Sequence, residues 1–162
     1  YFREDSACHI SMSPEAFPLV SQDKHYILTN MSEIAKYYSP RLKGVRYIGL
    51  MPAPRRLAPA DVYPAIDTLI RAIQGRGVIK MHPGFLSEKT YCTQDFTRYI
   101  DNASDGRVSL CPDDVLIELE MLLEKKELYG ARSSLSRYAE AFGSFFHVIA
   151  FNNYISGTAH GG

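Results

Sequence analysis

No sign of charge prevails in this sequence: 18 Lys and Arg balance 18 Asp and Glu over 162 residues, for a formal net charge of zero. Nucleic-acid-binding domains carry a basic excess that neutralises phosphate. The balance therefore argues against nucleic acid as the main partner, while leaving room for a local basic patch. Cysteine is scarce. Cys8, Cys92 and Cys111 are widely spaced and form no C-x-x-C pair, so neither a zinc knuckle nor a disulfide framework is suggested, and a reducing compartment is the simpler reading. No apolar run approaches the roughly 20 residues that cross a bilayer. The chain opens at Tyr1 rather than at methionine, which raises the expectation of a fragment or excised domain. Its first residues are not expected to be a signal peptide.

Several motifs are also missing. There is no G-x-G-x-x-G, Walker A, G-x-S-x-G or H-E-x-x-H sequence. The usual dehydrogenase, P-loop NTPase, α/β-hydrolase and zincin readings therefore lack their anchors. His9, His25, His147 and His160 have no partner at metal-ligand spacing.

What remains is a rhythm of short apolar runs and amphipathic stretches, in a chain whose length predicts one domain over residues 1–155 and a flexible tail over 156–162. Apolar runs at 26–28, 45–50, 77–81, 108–110, 128–131 and 145–151 read as strands. Helices are expected over residues 30–38, from 61 to about 73, around 88–99, from 113 or 114 to 126, and from 133 to 142. Val62, Ile66, Leu69, Ile70 and Ile73 mark one helical face; Val115, Leu116, Leu119, Leu122 and Leu123 mark another. Strand–helix–strand order with short turns predicts an α/β fold, an open three-layer Rossmann-like domain with a mostly parallel sheet.

Ligands of such sheets bind beyond the carboxyl ends of the strands, and three features fall there. His82-Pro83 follows the run 77–81 directly; an imidazole there could bond or protonate a phosphate, or simply sit in a loop closed by proline. Ser133-Ser134 opens a helix, where free backbone N–H groups favour phosphate, although serine is also a common cap. Glu118 and Glu120 lie about 100° from the centre of their helix's apolar face by the helical period. Either could reach a ribose or be solvated flank.

Taken in order, these elements resemble a known family. Lys80-Met81-His82-Pro83 after a strand, Val108-Ser109-Leu110-Cys111-Pro112 before an acidic leucine-rich helix, and Tyr129-Gly130-Ala131-Arg132-Ser133-Ser134-Leu135 are similar to bacterial sialyltransferases and polysialyltransferases. The likeness covers roughly residues 77–150. It implies one half of a GT-B-type fold, the carboxyl-terminal half that binds CMP-sialic acid. On this resemblance His82 would contact the CMP phosphate and act as general acid, with Pro83 completing the His-Pro motif. Ser133 and Ser134 would hold the same phosphate, Pro112 would line the cytosine edge, and Glu118 would bind the ribose, with Asp114 and Glu120 as alternatives. Sialic acid would pass to a glycan acceptor with inversion, without metal or cofactor beyond the nucleotide-sugar donor.

The family's catalytic base comes from an amino-terminal domain, and residues 1–23 offer no credible substitute. The chain alone is therefore expected to bind donor rather than to turn over. The resemblance also implies a cytoplasmic enzyme of polysaccharide biosynthesis that meets the inner face of the membrane through its acceptor. Two other readings stay open. Polymer glycerophosphotransferases with CDP-glycerol donors share a His-Pro element and a later Ser-Ser, but usually carry aspartate where this chain has Ala131-Arg132. A non-catalytic α/β binding or scaffold module would use the serines only as a cap.

Overall fold

The structure is a computed structural model and describes residues 9–11, 22–27, 30, 33, 35–87 and 91–155. The chain forms two compact units, Tyr1–Pro40 and Arg41–Gly162. In the first, β1 (His9–Ser11) pairs in parallel with β2 (His25–Ile27), which is the apolar run expected at 26–28. The helix expected over 30–38 and the tail expected from 156 fall in part or wholly outside the described residues.

The second unit is an α/β layer structure. Its strands are β3 (Tyr47–Leu50), β4 (Gly77–Lys80), β5 (Val108–Leu110), β6 (Glu127–Gly130) and β7 (Phe145–Val148). They form one sheet in the order β5-β4-β3-β6-β7, every neighbouring pair parallel. The connections carry α1 (Val62–Ala72), α2 (Pro83–Ser87), α3 (Thr93–Ser104), α4 (Ile117–Leu123) and α5 (Ser134–Ala141). This is the open, Rossmann-like arrangement expected from strand and helix alternation.

Period-two alternation divides the core between the two faces of the sheet. Ile79 and Tyr129 join Ile66 and Leu69 of α1 and Phe96 and Ile100 of α3. Ile48, Leu50, Val78 and Leu128 point the other way, toward Ile117 and Met121 of α4 and Ala139 of α5. Each fully buried aliphatic side chain contributes roughly 1.5–3 kcal/mol, so these two layers carry most of the stability. Gly49 lets α1 close on the sheet: a Cβ there would meet Ile79 Cγ1 at 3.2 Å and Leu69 Cβ at 3.3 Å. The end of α1 is secured by Arg107, whose guanidinium donates to the carbonyls of Ile70, Ile73 and Gly75.

Three elements differ from the sequence reading. α3 runs Thr93–Ser104, starting and ending about one turn later than the pattern around 88–99 predicts. The helix expected from Asp113 or Asp114 begins at Ile117, and its buried residues are Ile117, Glu120 and Met121, while Leu116 and Leu123 are 53% and 42% exposed. β7 is shorter than the apolar run 145–151 and lies at a sheet edge, so Phe145 and Val148 face solvent.

The rotation of α4 has a polar cause. The carboxylate of Glu120 accepts the backbone N–H groups of Arg41 (2.7 Å) and Leu42 (3.1 Å), turning that face inward. Beside it Lys126 is wholly buried, and its ammonium donates to Leu42 O (2.7 Å), Val45 O (2.9 Å) and Glu124 Oε2 (2.6 Å). All three ammonium protons are thus satisfied, which a buried cation requires. Removing the partner of such a group typically costs about 3–5 kcal/mol. Lys126→Ala is therefore expected to lower the urea-unfolding free energy by about 3 kcal/mol, whereas Lys126→Met, which restores volume without charge, loses less. Equal losses in the two variants would mean that the polar clamp, not packing, holds the strand approach, whereas a Lys126→Met variant as stable as wild type would mean that packing alone does.

Candidate functional site

The sheet order reverses between β3 and β6. The helix after β3 belongs to the layer of α1, and the helix after β6 belongs to the opposite layer. Loops leaving the two strands therefore diverge, and a crevice opens over their carboxyl ends. Just below it the strands are in close contact: a Cβ on Gly130 would meet Leu50 Cβ and Leu50 O, each at 3.0 Å.

The crevice has a volume of about 490 Å³, within the range of small-molecule sites. Met51, Pro52, Val115, Leu116, Leu135 and Tyr154 give it apolar walls. Among the residues singled out in the sequence, His82, Pro83, Glu118, Ser133 and Ser134 all line it, although they come from the ends of β4, α4 and β6. Pro112 is exposed and is not part of the lining; its carbonyl instead accepts the Lys80 ammonium at 2.8 Å, beside Asp113 O at 2.7 Å. Those two bonds tie the β5–α4 loop to the end of β4. The alternatives to Glu118 are otherwise engaged. Glu120 is buried on backbone N–H groups, and Asp114 pairs with Arg41 at 2.6 Å outside the crevice.

His82 is held in a defined state. Its Nδ1 accepts the backbone N–H of Gly84 at 3.0 Å. In the neutral imidazole the proton therefore sits on Nε2, which is free to donate outward. Burial lowers the pKa of His82 below the ordinary histidine value, and the nearby Arg55 charge lowers it further. Gly84 is also the point where two loops touch, since a Cβ there would lie 2.9 Å from Pro54 Cδ and Cγ. Without side-chain bulk at 84, the short 3-10 turn Pro54–Arg56 reaches the His82 loop and brings Arg55 to it.

The serines are not spent on capping. Ser133 stands at the N-cap of α5 in extended conformation, and its side chain makes no capping bond. Its carbonyl accepts the backbone N–H and the hydroxyl of Ser136, at 3.1 and 2.7 Å. The hydroxyl of Ser133 and the first N–H groups of α5 thus remain at the crevice wall, where helix termini favour anions.

The sequence reading did not single out the cationic residues that complete the site. Arg55, Arg56, Lys80 and Arg132 all line the crevice, facing only Asp113 and Glu118 among acidic residues. Lys80 is held by carbonyls and Arg56 by Ile155 O at 2.8 Å. Among the described residues, Arg55 and Arg132 have no hydrogen bond or ion pair. Their signal was available in position: Arg55 follows the first strand of the sheet by five residues, and Arg132 immediately precedes the serine pair.

Neither protein-family models, nor curated proteins, nor solved structures give a match to this chain. A larger hollow, about 1050 Å³, runs along α5 and β7 and shares Arg132, Ser133 and Ser134 with the crevice, but includes no His82. Among the described residues no helix is long and apolar enough to cross a membrane.

The causes acting on His82 make a measurable statement. Its imidazole, followed by NMR, should titrate below the ordinary histidine value of about 6.5. Arg55→Gln should move that midpoint part of the way back, because the larger cause, burial, stays. An unchanged midpoint would mean that Arg55 does not sit beside the imidazole in solution.

Proposed function

We propose that the crevice binds a cytidine nucleotide sugar, and that the chain is the donor-binding half of a sialyltransferase-like glycosyltransferase of GT-B type. The observation that carries this reading is the convergence of His82, Ser133 and Ser134 with four cationic side chains in one crevice at the sheet's reversal. A phosphate there would meet hydroxyl and N–H donors of α5 on one bank and the Nε2 proton of His82 on the other. The apolar walls suit a pyrimidine ring, and Glu118 lines the same space as the candidate partner of ribose hydroxyls.

In this reading CMP leaves as the bond between its phosphate oxygen and the anomeric carbon breaks. The acceptor oxygen forms the new bond from the opposite side, which inverts the centre. The acceptor's proton goes to a base supplied by a further domain, as the family resemblance implies. His82 stabilises the departing phosphate. Because burial and Arg55 keep the imidazole neutral at rest, it acts first as an Nε2–H donor; as negative charge arrives beside it, a second proton goes to Nδ1 and displaces the Gly84 N–H that this nitrogen accepts at rest.

Calorimetric titration with CMP, CDP and UMP tests the proposal. CMP should bind in preference to UMP. His82→Ala and the double variant Ser133→Ala/Ser134→Ala should each weaken binding about tenfold, or about 1.4 kcal/mol, with circular dichroism unchanged. A well-folded chain that binds no cytidine nucleotide would remove the reading and leave a scaffold module in its place. Tighter binding of CDP-glycerol than of CMP-sialic acid would instead move the chain to the glycerophosphotransferases.

The protonation of His82 sets the pH dependence. A bound anion raises the imidazole pKa from its depressed resting position, so binding takes up protons across that interval. Affinity for CMP-sialic acid, whose phosphodiester keeps one charge throughout, should be higher at about pH 6 than at about pH 8. The His82→Ala variant should lose that slope.

A further inference from the structure

We propose that a second hollow, between α1 and α3, binds a neutral pyranose sugar, with an aromatic ring against the sugar's C–H face and polar side chains around its hydroxyls. The hollow shares no residue with the crevice, so the inference does not depend on the nucleotide reading.

The local sequence sets the arrangement. Asp95, Arg98, Tyr99 and Asn102 recur at the spacing i, i+3, i+4 and i+7, which places them on one stripe of α3. Phe96 and Ile100 belong to the buried face beside it. Tyr63 meets the stripe from the first turn of α1. These five residues line a hollow of about 320 Å³, at the lower end of the range of small-molecule sites.

Its aromatic side is set in advance. The ring of Tyr63 lies 4.5 Å from that of Tyr99 and 6.0 Å from that of the buried Phe96, tilted by 55° and 50°. Phe96 is in turn packed edge-on to Phe85 and stacked on Tyr91. Tyr99 is fixed by its hydroxyl, which donates to Asp67 Oδ1 at 2.9 Å. Tyr63 remains 37% exposed, so an aromatic surface faces outward from a packed base. Groups held in place before binding lose little freedom when a ligand arrives.

The polar side is unspent. Asp95 and Arg98 stand three residues apart on a helix, the spacing at which Glu33 and Lys36 of this chain pair at 2.5 Å. Asp95 and Arg98 do not pair. Among the described residues neither side chain, nor that of Asn102, has a hydrogen bond or ion pair. A carboxylate, a guanidinium and an amide thus border one hollow with their donors and acceptors open to a ligand.

The ligand class follows from what these groups match together. One carboxylate and one guanidinium cancel, so the lining carries no excess charge to hold a phosphate or an ammonium group. An apolar ligand would cover the three polar groups without pairing them. The face of an aromatic ring is negative and attracts C–H edges. A neutral pyranose offers a C–H face and a rim of hydroxyls that both donate and accept.

The test follows the backbone amide NMR signals of the 162-residue chain while neutral trisaccharides of glucose, galactose, mannose or N-acetylglucosamine are added. At least one should bind with a dissociation constant on the order of 1 mM or lower. Its shifts should centre on Tyr63, Asp95, Tyr99 and Asn102. Tyr63→Ala should weaken binding about tenfold, whereas Tyr63→Phe, which keeps the ring, should stay within about twofold of wild type. Asn102→Ala, at an exposed position where the fold does not need the amide, should weaken binding about threefold or more. No response to any of the four sugars at about 10 mM would overturn the inference. Shifts that centre on the crevice instead, or binding that Tyr63→Ala and Asn102→Ala leave unchanged, would overturn it as well.

Discussion

The ammonium of Lys126 is the most demanding group in the molecule. It is fully buried, and a cation in that position must find an acceptor for every proton. It finds Leu42 O, Val45 O and Glu124 Oε2, while the neighbouring Glu120 carboxylate takes the N–H groups of Arg41 and Leu42. These bonds hold the segment leading into β3 against the turn between α4 and β6. They therefore set how β3 meets β6, the two strands whose loops part to form the crevice. The Coulomb attraction within the pair need not repay desolvation for this to matter. A buried ammonium of this kind fixes which segments can come together, and the position of the site follows from that choice.

From this clamp the crevice is shaped by residues that are small as much as by residues that are reactive. Gly130 lets β6 lie against Leu50 at the last point before the strands separate, and Gly84 lets the Pro54 turn rest on the His82 loop. A side chain at 84 would push away the turn that carries Arg55. The chemistry of His82 thus depends on a backbone contact at a residue with no chemistry of its own. The Gly84 N–H also directs the imidazole, because a donor at Nδ1 leaves Nε2 as the proton-bearing nitrogen.

How much of this was legible in the sequence depended on whether the information was local. The runs that became β3, β4, β5 and β6, and the stripe of α1, are short-range patterns and read correctly to within a few residues. The inner face of α4 did not, because Leu116 and Leu123 are apolar and fit the helical period, yet Glu120 is the residue drawn inward. Its partners, Arg41 and Leu42, lie 79 and 78 residues away, and no window along the chain contains that demand. β7 misled for a related reason: apolar content predicts burial, but an edge position leaves Phe145 and Val148 exposed. At the site, His82 and the serines were legible because they stand directly beyond strands. The arginines were not, since a net charge of zero hides a local basic surface, and only the sheet order gathers Arg55 and Arg132 around one space.

That basic surface also bears on why a donor site of this kind would work with a second body. In an open crevice, water competes for the phosphate and screens the guanidinium groups, so each interaction is worth a small fraction of its value in a closed site. His82 feels the same effect, because its proton affinity rises most when the anion beside it is least hydrated. Covering the crevice would therefore strengthen phosphate binding, raise the proton affinity of His82 and bring an external base to the acceptor in one step. On the proposed reading the arrangement on this side suits such a division: the groups that would hold and discharge the leaving phosphate are fixed in the sheet's loops. The carboxylates within reach, Asp113 and Glu118, are set among the cations that would bind the donor. A base for the acceptor placed there would sit on the leaving-group side of the sugar, where an inverting displacement has no use for it.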